Sequence, residues 1–147
     1  VKQKRRHRMK RCDAAFIPSG RLRMTNYKRP LTASAIKYLL TLYELGGGER
    51  GVRSVDLAAR MQVSKPSTHA MIQSLCAAGL AEKERYGTVR LSEAGRSAAV
   101  LYRSCYEPLY ERMKAVLALD GEVCAKAVCA VLSQVPEELP RLAAQMQ

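Results

Sequence analysis

The stretch Ser64-Lys65-Pro66-Ser67-Thr68-His69-Ala70-Met71-Ile72-Gln73-Ser74-Leu75 constrains the fold of this chain more than any other. It lies between Val55-Asp56-Leu57-Ala58-Ala59-Arg60-Met61 and Gly79-Leu80-Ala81-Glu82-Lys83. The pattern reads as a positioning helix, a tight turn marked by Val63, a second helix and the first strand of a hairpin. Ser64 is a capping residue type, and Pro66 falls in the first turn, where a missing N–H costs nothing. Met71, Ile72 and Leu75 face inward, and Gly79 ends the helix. A small domain uses this arrangement to set side chains into a DNA major groove.

The flanking segments complete a recognisable order. A helix is expected from about Thr32 to Leu45, with Ile36, Leu39, Leu40 and Tyr43 on one face and Gly46-Gly47-Gly48 as its stop. Ser54 is the expected cap of the next helix, which buries Val55, Leu57 or Ala58, and Met61. Two short strands, Leu80 to Glu84 and Thr88 to Leu91, are joined through Arg85-Tyr86-Gly87, where Gly87 takes a positive φ. Ser92 caps a long helix carrying Ala94, Ala98, Leu101 and Cys105 on one face, kinked or interrupted at Pro108. Asp120 caps a further helix with Val123, Cys124, Ala127, Val128, Val131 and Leu132 as an apolar stripe, and Pro136 opens a short last one. The fold class is mainly α with a small β-hairpin: a winged helix-turn-helix over 31–95, then a helical dimerisation domain over 96–147. The last helices are too apolar to stand alone, which makes a homodimer their natural use.

Charge is concentrated at one end. Of the net +12 on 147 residues, residues 1–30 contribute +10, from 11 Lys/Arg against one Asp, and the remainder only +2. Residues 1–30 therefore read as a basic, flexible arm suited to sequence-independent phosphate contacts or simple solvation. Met24-Thr25-Asn26-Tyr27 would make a natural start, so residues 1–23 carry no functional assignment. The 5 cysteines form no CxxC pair. No segment approaches the ~20 apolar residues of a membrane span. The expected location is the cytoplasm, with each thiol a small buried hydrophobe. Cys124 and Cys129, five apart, stand about 140° apart around a helix, which argues against a two-thiol chelate. The only histidines are His7 and His69, no nucleophile–base pairing can be drawn, and no glycine loop precedes a Lys-Thr pair. An enzyme is not expected.

The candidate DNA contacts follow from these placements. On the recognition helix they are Ser64, Lys65, Ser67, Thr68, His69 and Gln73: hydroxyls for base edges or phosphates, glutamine for adenine, lysine for phosphate or guanine. In the wing they are Arg85, Tyr86 and Arg90, suited to backbone or minor-groove contact. Arg53, beside Ser54, is placed for a phosphate.

Tyr38-Leu39-Leu40-Thr41-Leu42-Tyr43-Glu44-Leu45, the Pro66-Ser67-Thr68 helix, Gly79-Leu80 and the run from Tyr86 to Arg96 resemble the iron- and manganese-dependent repressors of the diphtheria-toxin-repressor family. The likeness covers roughly residues 31–135, and implies a cytoplasmic homodimeric regulator of transcription that represses by binding double-stranded DNA under control of a divalent Mn or Fe ion. The ligand positions this implies are poorly filled. Lys37 and Leu40 stand in the first helix and Cys129, Leu132 and Ser133 in the later one; Cys129 with Glu107 is the remaining metal candidate. A site needs several convergent N, O or S donors, so the resemblance implies a member whose usual metal site has eroded. Two other readings stay open: a multiple-antibiotic-resistance-type repressor responding to an organic ligand, and a winged-helix module that docks on protein. A thiol-based sensor acting through Cys129 is a third.

Overall fold

The computed structural model describes residues 30–46 and 50–146. The basic arm, His7, Cys12 and Gly47-Gly48 lie outside them.

Helix α1 (Ala33–Gly46) starts at Thr32, whose hydroxyl accepts from the Ala35 N–H at 3.2 Å. Its apolar residues go all round rather than along a stripe: Ile36 and Leu39 are fully buried, and Tyr38, Leu40 and Leu42 nearly so. A helix of this kind belongs in the middle of a structure, with neighbours on several sides. Strand β1 (Val52–Arg53) follows and pairs antiparallel with β3 (Thr88–Leu91), Val52 opposite Val89. Strand β2 (Ala81–Lys83) pairs with the other edge of β3, giving the order β1-β3-β2. The hairpin expected from the sequence is therefore a three-stranded sheet. A two-residue strand has no alternation to read, and only its pairing with Thr88 and Val89 defines it.

Helix α2 (Ser54–Met61) departs from expectation at its start. Ser54 is not the cap but the first helical residue, and its hydroxyl donates to the Gly87 carbonyl at 2.8 Å. Arg53 takes the cap position, its side chain making no capping bond to the helix backbone. Leu57 and Ala58 are buried as expected, while Val55 stays exposed. The turn closes through Gln62 in the left-handed region (φ 55°), with the Val63 N–H donating to the Ala58 carbonyl at 3.2 Å.

Helix α3 (Lys65–Ala77) is capped by Ser64, which accepts from the Ser67 N–H, and ends before Gly79 at φ +73°. Helix α4 (Glu93–Leu117) runs from the wing without a break, so Pro108 does not interrupt it. The proline removes one backbone bond, and burial of Tyr102 and Cys105 on one side with Leu109 and Met113 packed on the other holds the helix together. Its buried face is Gly95, Ala99, Tyr102 and Cys105; of the expected Ala94-Ala98-Leu101-Cys105 line, Cys105 is buried and the other three are partly buried against the core. Helix α5 (Gly121–Gln134) is capped by Asp120 and buries Cys124, Val128, Cys129 and Leu132, leaving Val123 and Val131 exposed. Helix α6 (Leu139–Gln145) closes the described chain.

One hydrophobic cluster, from Leu31 to Ala143, joins all of this. Helix α1 touches the sheet, α2 and α3 on one side and α4 and α5 on the other. Two close approaches fix α4 to the wing. The Ser92 hydroxyl donates to the Gly79 carbonyl at 2.6 Å and accepts from the Gly95 N–H at 3.0 Å. Gly95 itself lies so near the Leu80 carbonyl that a Cβ would fall on it.

Candidate nucleic-acid interface

Lys65, Ser67, His69 and Gln73 are all exposed on α3, whereas Ile72 and Leu75 are buried. Ser64 and Ser67 share a hydroxyl hydrogen bond of 2.8 Å at the helix start, which orients both toward solvent-facing partners. At that N-terminus Pro66 has no N–H and the Ser67 N–H is taken by the Ser64 hydroxyl, so of the first three helical residues Lys65 alone keeps an N–H for an anion.

Thr68 is the correction in this set. It is only 1 % exposed, and its hydroxyl lies 3.4 Å from the Tyr38 hydroxyl on α1. A side chain enclosed this way cannot reach a base edge; it ties the recognition helix to the central helix. The neighbouring i, i+3 and i, i+4 positions separate cleanly on geometry: Thr68 shares its face with Ile72 and Leu75, not with His69 and Gln73. That spacing was the available signal.

The wing is held from below and open above. Tyr86 adopts φ 64°, unusual for a non-glycine residue, and is 98 % exposed. Gly87 beside it has φ +75°, and its carbonyl receives the Ser54 hydroxyl. The tip is thus pinned to the start of α2, and Arg85 and Tyr86 project outward.

Two of the candidate arginines already have partners. Arg90 bonds Glu82 at 2.9 Å and Glu84 at 3.3 Å on β2 or just beyond it, and these contacts push its pKa up, the Glu82 hydrogen bond most. Arg53 makes a two-pronged contact with Asp56, at 2.7 and 2.9 Å. Exposed pairs of this kind are weak in water, so neither carboxylate bars its guanidinium from a phosphate.

One feature of this surface has no counterpart in the sequence-based expectations. Val55, expected inside, is 47 % exposed and joins Pro66, Lys65, His69 and Ser54 around an open concavity of about 370 Å³ at the junction of α2 and α3. It gives the polar face a small apolar floor.

The metal candidates do not converge. Glu107 is paired with Arg103 at 2.7 Å on the exposed side of α4. Cys129 lies inside, 2 % exposed, where burial pushes its thiol up to about 11 against the opposing effect of the Lys37 charge. It borders a cavity of about 260 Å³ with Lys37, Leu40, Glu44, Arg60 and Tyr106; Glu107 is not among the walls. Leu132 is buried in the core, and Ser133 bonds the Ala130 carbonyl. Among the described residues, no three His, Cys, Asp or Glu side chains group as metal ligands would. A neutral thiol beside an ammonium is not a donor set for a divalent ion, so the family's metal does not fit the residues present here.

Comparison with known proteins agrees with the geometry. Residues 30–89 match the family model described as "Iron dependent repressor, N-terminal DNA binding domain". Among solved structures, T. acidophilum IdeR aligns with a TM-score of 0.54 and 18% identity, covering 75% of this chain and 52% of its own. The manganese regulator SloR aligns with a TM-score of 0.59 and 19% identity, covering 76% and 53%. A hypothetical protein from Sulfolobus solfataricus aligns at 0.54 with 14% identity, over 79% of this chain and 89% of its own. At these identities the likeness is one of fold, and the chain spans about half the length of the first two. No curated protein sequence matches the chain. Residues 30–89 therefore carry the likeness to the iron-dependent-repressor N-terminal DNA-binding domain, and the chain sets that winged helix on a body of further helices.

Proposed function

We propose that the protein is a homodimeric, sequence-specific transcriptional repressor whose DNA binding no longer requires the divalent metal of its family. The observation that carries the DNA reading is the exposed Lys65, Ser67, His69 and Gln73 face of α3, presented beside a pinned and outward-pointing wing. Ser67 and Gln73 specify bases, while Ser64, Lys65, Arg85, Tyr86 and, after exchange, Arg53 and Arg90 hold the backbone. Dimerisation through the later helices is supported by Val116 and Leu117 at the end of α4, 81% and 53% exposed, and by Val123 and Val131 along α5. Loss of metal gating is supported by the donor set around Lys37 and Cys129.

The test is selection of genomic DNA by the purified chain at two salt concentrations, with and without chelator and with added Mn, Fe or Zn. Specific binding indifferent to chelator is expected, its affinity falling with a log–log salt slope of about −0.9 per phosphate neutralised. Binding that needs stoichiometric metal would overturn the loss of gating. Absence of any DNA retention at low salt would overturn the whole reading in favour of a protein-docking module. Gln73→Ala should relax discrimination at one base position by ~1–3 kcal/mol, seen as lost preference in the same selection.

A further inference from the structure

The cavity beside Cys129 is built from both halves of the molecule. Lys37, Leu40 and Glu44 come from α1, Arg60 and Met61 from the end of α2, Tyr106 from α4 and Cys129 from α5. A second cavity, of about 210 Å³, lies on the other side of Lys37 and shares Lys37, Met61 and Cys129 with the first. Lys37 is half-buried between them, and among the described residues no carboxylate is ion-paired with it. Glu122, which feels its charge, bonds Lys126 instead at 2.9 Å. Arg60 reaches Glu44 only at 4.0 Å, both of them well exposed at the mouth. The remaining walls are apolar or neutral.

A half-buried ammonium lining a half-open cavity, with no carboxylate ion-paired to it among the described residues, is an unfinished electrostatic arrangement. Two cations against one carboxylate leave the lining one positive charge in excess. That balance suits a single negative charge. A dianion would meet Glu44, and a metal cation would meet Lys37 and Arg60. The apolar surface of Leu40, Met61 and Tyr106 asks for a hydrophobic body behind the charged head, and the volume limits it to a small molecule.

We propose that this cavity binds a small organic monocarboxylate, its head paired with Lys37 and Arg60 and its apolar body lying on Leu40, Met61 and Tyr106. Such a ligand touches the positioning helix and the helical body at once, and so sits where an occupant biases the placement of one against the other.

The experiment is calorimetric titration of the full chain with benzoate as probe, alongside inorganic phosphate and Mn²⁺, in the absence of DNA. Its result is therefore independent of the proposed DNA-binding role. One-to-one benzoate binding at millimolar affinity or tighter is expected, weakened about tenfold by Lys37→Met and severalfold by Arg60→Gln. Arg60 is exposed, so that second variant leaves the core intact even where Lys37→Met alters folding. Amide shifts on binding should cluster near Lys37, Met61, Tyr106 and Cys129. No benzoate binding up to about 10 mM would overturn the proposal. So would unchanged affinity in both variants, or tighter binding of phosphate or Mn²⁺ than of benzoate.

Discussion

The α3 face and the α1–α5 cavity are two polar regions of one small molecule, built on opposite principles. On α3, short polar side chains stand on the outside of a helix whose inner face and both ends are fully committed: Ser64 at the cap, Thr68, Ile72 and Leu75 inside, Gly79 at the stop. Every polar group there either faces solvent or has a partner. In the cavity, Lys37 stands half-buried in a lining that mixes Glu44 and Arg60 with apolar side chains, and among the described residues no carboxylate is ion-paired with it. The first pattern presents a surface for a large, charged, external partner. The second leaves a recess for a small one. The cavity's donors, a buried thiol beside Lys37 and Arg60, are not a set that suits a divalent cation.

The sharpest way to break this picture acts on the joint between the two regions. Gly95→Ala puts a methyl group on the Leu80 carbonyl, where backbone rather than a flexible side chain must yield. A loss of ~2–4 kcal/mol of stability is expected by urea unfolding. A near-neutral result would mean that α4 is not anchored to the wing in this way.

A smaller effect separates inside from outside on α3. Thr68→Val removes the hydroxyl facing Tyr38 and should lower stability by ~1 kcal/mol while leaving operator discrimination unchanged. Gln73→Ala should do the reverse. Loss of discrimination in Thr68→Val would return that residue to the DNA surface and undo the division between the two faces.

The smallest effect concerns the cavity and is read through pH. The Cys129 thiol is pushed up to about 11 in the fold, chiefly by burial. Its neutral form is thus favoured in the native state. In the unfolded chain the thiol ionises first, so stability is fully present below about pH 9 and is lost as pH rises toward 11. Denaturant midpoints should hold level to that onset and then fall, and Cys129→Ala should make the decline shallower. Tyr106, pushed up to about 12 by burial, contributes in the same direction at higher pH. A midpoint that holds through pH 11 would show that water reaches the thiol.

Much of the fold was legible because its signals are local. Ser64, Ser92 and Asp120 are caps whose side chains accept from backbone N–H groups two or three residues on, and each can be read from residue type and position. Gly79 and Gly87 mark turns for a steric reason that needs no neighbour. The inward line of α3 followed from helical spacing. Where the reading failed, the deciding contact was distant in the chain. Ser54 looks like a cap until Gly87, 33 residues away, is found to accept its hydroxyl. Thr68 looks like a groove residue until Tyr38, 30 residues back, encloses it. On α4 Gly95 rather than Ala94 is the buried residue of the first turn, where it lies against the Leu80 carbonyl, 15 residues back.

The sequence by itself thus determined the helices and the two wing strands in their order, the exposure of Lys65, Ser67, His69 and Gln73, and the unsuitability of Lys37 and Leu40 as metal ligands. Each is a property of residue type and short-range spacing. Tertiary structure alone decided that β1 completes a sheet, that Val55 is exposed and Thr68 enclosed, and that Lys37, Arg60, Tyr106 and Cys129 share one cavity. Those facts depend on which helices meet, and packing across a chain this long is set by the sum of many weak contacts rather than by any one local signal.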